Sequence, residues 1–79
     1  MKKQYDRHGQ EIRPGMVLTD EDGVHYYVFA SQTLYVMPAR CSERLNRAVA
    51  RQISQGSEYL EFYRLDSLNL AKWSIEKES

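Results

Sequence analysis

The sequence predicts one α+β domain: a small, curled antiparallel sheet of about five strands, with one amphipathic helix inserted before the last two strands. Three features indicate this fold. Apolar residues fill both faces of a strand over Val24–Ala30, glycine-containing turns join it to short neighbours, and residues 40–55 carry a helical apolar period. The 79 residues are 42% hydrophobic, which suffices for a single core. An SH3-like barrel with the helix inserted before its last two strands fits this order best, and an open sheet with the helix packed on one face is the alternative.

The chain before the helix is predicted to form hairpins. An extended opening segment over 5–12 contains a turn at Gly9, and a strand follows over Met16–Thr19. Asp20–Gly23 then forms a hairpin connection, in which Gly23 is free to adopt the positive φ that such turns need.

The next strand, over 24–30, is predicted to lie in the middle of the sheet. Its two faces are both largely apolar, which is typical of a strand covered on both sides; the alternating residues are Val24, Tyr26, Val28 and Ala30 against His25, Tyr27 and Phe29. A tight return at 31–32 leads into a strand over 33–37, which Pro38 ends.

The helix is predicted over Arg40–Gln55, with Ser42 as its N-cap and Gly56 as the residue that stops it. We expect its apolar stripe to pack on the sheet through Leu45, Val49 and Ile53.

After the helix, aromatic and aliphatic residues predict a strand over 58–65. A last extended segment over 68–75 contains Trp73. Residues 1–4 and 76–79 are predicted to be frayed ends of a single domain spanning 1–79.

Four arginines recur on one side of the predicted helix and provide the best functional indication. Arg40, Arg44, Arg47 and Arg51 fall within an arc of roughly 60°. Residues 40–55 contain four basic residues and one acidic residue, a balance of +3, whereas residues 1–39 and 56–79 carry −1 and −2, so the formal net charge is zero. The predicted helix is therefore a basic segment between two weakly acidic segments of the chain. Arginines in such a row either form a solvated helix face or bind phosphates or an acidic protein patch.

Two kinds of partner are consistent with this row of arginines. We expect a non-catalytic protein-interaction module, including an inhibitor of a host enzyme, whose contact residues are the four arginines together with Tyr35 and Tyr59. The alternative is an auxiliary RNA- or single-strand-binding domain in which the tyrosines stack bases. Homodimerisation through an edge strand also remains open.

The candidate chemical groups do not assemble into a catalytic or metal site in the sequence. Cys41 and Arg47 have the C-x5-R spacing of tyrosine phosphatases, but the residues between them favour a helix rather than a phosphate-binding loop. The acidic turn over Asp20–Asp22 lacks the ligand spacing of a calcium loop. A single cysteine excludes an internal disulfide. We therefore expect no enzyme and no cofactor. Because no apolar run approaches a membrane span and no signal peptide is evident, we expect a cytoplasmic protein.

Motifs at both ends of the chain resemble a known group of proteins. They are D-x-x-G-x-x-I-x-x-G-M over 6–16, E-D-G over 21–23, F-Y-x-L over 62–65 and L-N-L-x-x-W-x-I over 68–75. This pattern is similar to small uncharacterised proteins found on phage and integrative elements of Firmicutes. The resemblance leaves out residues 31–57 and implies a bacterial cytoplasmic accessory protein of a mobile element. Because no activity is established for the group, it implies no functional residue.

Overall fold

The structure, a computed structural model, describes residues 2–76 and confirms the α+β class. One helix precedes the last two strands of a five-stranded sheet, in the order β4-β3-β2-β1-β5 with every neighbouring pair antiparallel. The elements are β1 (Val17–Thr19), β2 (His25–Ser31), β3 (Thr33–Pro38), α1 (Glu43–Ser54), β4 (Tyr63–Arg64), two 3₁₀ turns (Leu65–Ser67 and Leu70–Lys72) and β5 (Ser74–Ile75).

The observed architecture is the open sheet, which was the alternative prediction, and the preferred prediction of an SH3-like barrel is wrong. β4 and β5 lie at opposite edges of the sheet and do not pair with each other. Each of them contributes only two paired residues, which leaves too little strand at the edges to close a barrel.

The central strand β2 is covered on both sides, as its sequence predicts. On one side, which we call the turn side, the core contains residues from the N-terminal hairpin, the strands and the first 3₁₀ turn: Ile12, Leu18, Val28, Leu34, Val36 and Leu65. On the other side, which we call the helix side, α1 packs on the sheet, and the core is Tyr27, Phe29, Met37, Ala50 and Ile53. The sheet therefore separates two small cores.

Two hairpin loops before β2 share one geometry. In each, an aspartate opens the loop and its Oδ1 accepts hydrogen bonds from the N–H groups two and four residues later, all at 2.9 Å: Asp6 from His8 and Gln10, and Asp20 from Asp22 and Val24. A glycine sits three residues after each aspartate, and Gly23 has the predicted positive φ, at 82°. The D-x-x-G sequence therefore closes both turns by side-chain capping.

The strands after the helix are much shorter than the sequence predicts. The predicted strand over 58–65 is paired only at Tyr63 and Arg64, opposite Val36 and Tyr35. Continuing this register would bring residue 61 opposite Pro38, which has no N–H to donate, and beyond it the chain leaves β3 for the helix. In the predicted segment over 68–75, a 3₁₀ turn occupies Leu70–Lys72, and only residues 74–75 pair with β1.

The N-terminal hairpin covers the outer edge of β5. The Ile75 N–H donates to Asp6 Oδ2 at 3.0 Å, and the Arg7 N–H donates to the Trp73 carbonyl at 2.8 Å. Of the predicted tail over 76–79, the structure describes Glu76, whose N–H donates to the Val17 carbonyl at 2.8 Å; the rest lies outside the described residues. Between residues 2 and 76, no helix combines the length and the apolar character needed to cross a membrane.

Candidate interaction surface

Helix α1 is fixed at both ends by the residues that the sequence indicates. Ser42 is the N-cap, and its Oγ accepts a hydrogen bond from the Leu45 N–H at 3.2 Å. At the other end, the Gly56 N–H donates to the Ile53 carbonyl at 2.9 Å and the Ser57 N–H donates to the Gln52 carbonyl at 3.2 Å. This pair of bonds is the Schellman arrangement, which requires a left-handed residue such as glycine. The helix starts at Glu43, so Arg40 and Cys41 precede it, contrary to the predicted start at Arg40.

The buried face of α1 is rotated from the predicted stripe. Asn46, Ala50 and Ile53 are buried and Val49 is half-buried, whereas Leu45 is 48% exposed. Asn46 can occupy this apolar side because its Oδ1 accepts a hydrogen bond from the Arg40 N–H at 2.6 Å, which satisfies a buried polar atom. The apolar pattern did not reveal this face because one of its four positions is polar.

Three of the four predicted arginines lie together on the exposed side of α1. Arg44, Arg47 and Arg51, which we call the arginine surface, line a shallow depression with Glu43 and Ala48. Their seven-residue separation corresponds to about 10 Å along the helix axis. Arg40 is not part of this surface and lines a different depression, together with Val17, His25, Ala39, Cys41 and Glu76. The predicted row of four arginines is therefore wrong in its first member, because the capping turn at Ser42 separates Arg40 from the helix.

A chain of hydrogen bonds ties the arginine surface to the sheet. The Arg47 Nε lies 3.1 Å from Glu43 Oε1, and the same oxygen accepts a hydrogen bond from the Tyr27 hydroxyl at 2.9 Å. Burial, followed by the hydrogen bond and the negative charge of Glu43, raises the pKa of Tyr27 above its ordinary value, so the ring keeps its proton as a donor. Sequence reasoning missed this role of Glu43, although its position four residues before Arg47 is a recognisable signal.

The other two arginines of the surface carry charge that the rest of the fold leaves uncompensated. Arg44 and Arg51 are exposed, and neither forms an ion pair with any residue between 2 and 76. Arg47 is 73% exposed at its side chain despite its pairing with Glu43. All three guanidinium groups are therefore accessible to an anionic partner.

The two predicted contact tyrosines have different surroundings. Tyr35 is half-buried on the helix side, stacked on Phe29 with ring centroids 5.6 Å apart and met edge-on by Phe62 at 5.7 Å. Its ring therefore serves mainly to pack the sheet. Tyr59 is 98% exposed in the segment between α1 and β4. Of the two, only Tyr59 presents a whole ring to solvent.

The structure also locates the groups that were considered for chemistry. Cys41 is exposed and lies just before the N-cap. Residues 43–47, which follow it up to Arg47, are helical, so their backbone does not wrap into a phosphate-binding loop beside the thiol. Nδ1 of His25 lies 3.2 Å from Glu76 Oε2 and 3.2 Å from Thr19 Oγ1. These contacts join β1, β2 and the end of β5.

Comparison of the chain with protein-family models, curated proteins and solved structures gives no significant match. The arginine surface is therefore the best indication of function.

Proposed function

We propose that this protein is a non-catalytic interaction module that binds an acidic protein surface through Arg44, Arg47 and Arg51. The observation that supports this most strongly is the sidedness of α1. One side, where Asn46, Ala50 and Ile53 are buried, packs on the sheet through Ala50 and Ile53, and the other presents three exposed arginines. The helix fixes the spacing of the three arginines along its axis, and each planar guanidinium group can pair with a carboxylate through two hydrogen bonds.

The charge pattern favours an acidic protein over a long nucleic acid. Residues 1–39 and 56–79 carry balances of −1 and −2, so the rest of the chain adds no net positive charge that could extend the contact along a polyanion. Three arginines over about 10 Å also reach only a few phosphates, which is little of the charge neutralisation that nucleic-acid affinity requires. A compact acidic patch on a folded partner matches this surface in size.

Binding of RNA or single-stranded DNA is the second candidate, and the exposure of Tyr59 favours it. An aromatic ring that is 98% exposed can stack on a base, and stacking contributes about 1–3 kcal/mol per base. Such binding would weaken steeply with added salt, whereas binding to a protein through a few charge pairs depends less on salt.

The resemblance in the flanking motifs supports a setting for this activity. By that resemblance, the protein is an accessory or regulatory factor of a bacterial phage or integrative element and acts in the cytoplasm. In that setting the proposal includes inhibition of a host defence or nucleic-acid enzyme, with the three arginines bound to an acidic surface of that enzyme.

The test is site-specific photo-crosslinking from within the arginine surface. A benzophenone amino acid replaces Ala48, which lies among the three arginines and is exposed. The same photoprobe at the exposed Gln10 of the N-terminal hairpin serves as the positional control. In a bacterial host lysate treated with nuclease, we expect a discrete protein adduct from position 48 and none from position 10.

A charge-matched pair of triple variants identifies the residues responsible. Arg44, Arg47 and Arg51 are changed to Gln in one variant, and Lys2, Lys3 and Arg7 are changed to Gln in the other, so both lose three positive charges. Loss of the adduct in the first variant alone supports the proposal. Equal loss in both would mean that net charge rather than this surface drives binding. Adducts that disappear on nuclease treatment would establish the second candidate instead.

A further inference from the structure

The segment before β4 carries strand-forming residues but has no strand to pair with. In residues 58–62, no backbone N–H or C=O forms a hydrogen bond with any group in the described chain. Side chains hold the segment in place: Leu60 packs against the helix-side core and Phe62 against Tyr35. The sheet thus has one edge that the N-terminal hairpin covers and one that it leaves open.

The sequence of this open edge is nearly symmetric about Glu61. Glu58 and Arg64 have opposite charges, Tyr59 and Tyr63 are both aromatic, and Leu60 and Phe62 are both apolar. An antiparallel pair related by a two-fold axis places residue i opposite residue j and residue j opposite residue i. With the axis at position 61, each of these three matched pairs forms twice.

We propose that two copies of this chain associate through residues 58–64, as antiparallel strands whose two-fold axis passes through position 61. The pairing joins two five-stranded sheets across their open edges and brings Glu58 of one copy beside Arg64 of the other. It also covers Tyr59 and Tyr63, which are 98% and 41% exposed in the single chain. Aromatic and opposite-charge cross-strand pairs are both stabilising in sheets.

Three features limit the strength of this dimer. Residues 58–60 bend in the single chain and have to straighten, although no hydrogen bond is broken by doing so. Arg64 already contacts Asp66 at 2.8 Å and must share its guanidinium with Glu58 of the second copy. The two Glu61 carboxylates meet at the axis, where like charges repel. The association is therefore weak and is sensitive to the charge at position 61.

Disulfide trapping tests the register directly. Cys41 is changed to Ser to remove the exposed native thiol, and Glu61 is then changed to Cys. Residues opposite each other in an antiparallel pair have Cα atoms about 4.5–5.5 Å apart, which is within disulfide range. We expect the C41S/E61C protein to form an intermolecular disulfide under mild oxidation. The C41S/S57C control places its thiols four residues from the axis on each strand and stays monomeric. Cross-linking through position 57 rather than 61, or through neither, overturns the proposal.

Sedimentation of unmodified variants provides a test without cysteines. The E61Q change removes the repulsion at the axis, and we expect it to tighten the dimer about threefold. The Y59S change removes a ring that has almost no contacts in the monomer, and we expect it to weaken the dimer about tenfold without lowering the melting temperature. Dimerisation that is insensitive to both changes, or a wild-type chain that stays monomeric up to millimolar concentration, contradicts the proposal. None of these variants alters Arg44, Arg47 or Arg51, so the outcome is separate from that of the proposed function.

Discussion

At the scale of single residues, the Asp6 side chain connects two separate parts of the chain. It is buried, and its carboxylate accepts hydrogen bonds from three backbone N–H groups, of His8, Gln10 and Ile75. Burial by itself would raise the pKa of Asp6, but the hydrogen bonds from Ile75, Gln10 and His8, together with the charge of His8, outweigh it and hold the pKa below its usual range. The carboxylate therefore both closes the N-terminal hairpin and attaches it to β5.

We expect Asp6→Ala to lower the free energy of unfolding by about 3 kcal/mol, because each buried donor left without a partner costs about 1–3 kcal/mol. Asp20→Ala is the matched control, since Asp20 caps the same kind of loop but its carboxylate has no third donor from another strand. Urea denaturation of both variants provides the comparison. Equal losses would show that the bond to Ile75 contributes nothing.

The same carboxylate predicts a dependence of stability on pH. The folded pKa of Asp6 lies below the unfolded value of about 3.9, so its stabilising effect is fully present above that value. The effect is lost as the pH falls from about 4 through the folded pKa. We therefore expect the difference in unfolding free energy between wild type and Asp6→Asn to shrink over this range in urea titrations at successive pH values. A difference that stays constant down to pH 2 would contradict the assignment.

At the scale of elements, the capping residues of α1 could be predicted from sequence, whereas its first residue and its rotation could not. Ser42 and Gly56 act within their own turn, so residue type alone identifies them. Which side of the helix is buried depends on contacts with the sheet, and the buried Asn46 is recognisable only once its bond to the Arg40 N–H is known. Helical spacing correctly grouped Arg44, Arg47 and Arg51. It wrongly included Arg40, because the helix begins only after the capping residue Ser42.

Strand type was also easier to predict than strand length. The central position of β2 follows from apolar residues on both of its faces, which is a property of the strand itself. The extent of β4 depends instead on its partner, and β3 ends at Pro38 before it can pair with residues 58–61. That segment does contain aromatic and aliphatic strand-forming residues, but within one chain no strand is available to pair with it.

Gly56 ends helix α1 in a left-handed backbone conformation, which predicts the effect of substitutions at this position. Its φ is 94°, and a Cβ built there meets no atom within 4 Å, so a substitution is opposed by backbone conformation alone. We expect Gly56→Ala to lower the melting temperature in proportion to a loss of about 1 kcal/mol, and Gly56→Asn to lose less, because asparagine adopts the left-handed region more readily. Thermal unfolding followed by circular dichroism measures both. An alanine variant as stable as wild type would mean that the helix can end without the Schellman bonds.

At the scale of the whole molecule, the two cores lie on opposite faces of one sheet. Each core therefore depends on the other to keep the strands of that sheet in place. Met37 on the helix side and Leu65 on the turn side are both fully buried, on opposite faces of the sheet. A chain of this length has a total stability of about 4–12 kcal/mol, and truncating a buried Met or Leu to Ala costs about 2–5 kcal/mol. Either truncation alone should therefore leave a folded but weakened protein, whereas the two together approach the whole stability.

We expect Met37→Ala and Leu65→Ala each to lower the urea concentration at the midpoint of unfolding. In each variant, two independent probes of unfolding should give the same midpoint. Circular dichroism at the helical band follows α1 on the helix side, while fluorescence of Trp73, which packs against the turn-side core, follows the other face. Coincident transitions indicate a single cooperative unit in which the sheet couples both cores. If Met37→Ala unfolds α1 at a urea concentration at which Trp73 stays buried, the helix side is a separable layer. The arginine surface could then detach while the sheet remains folded, and binding through it would depend on the stability of that layer.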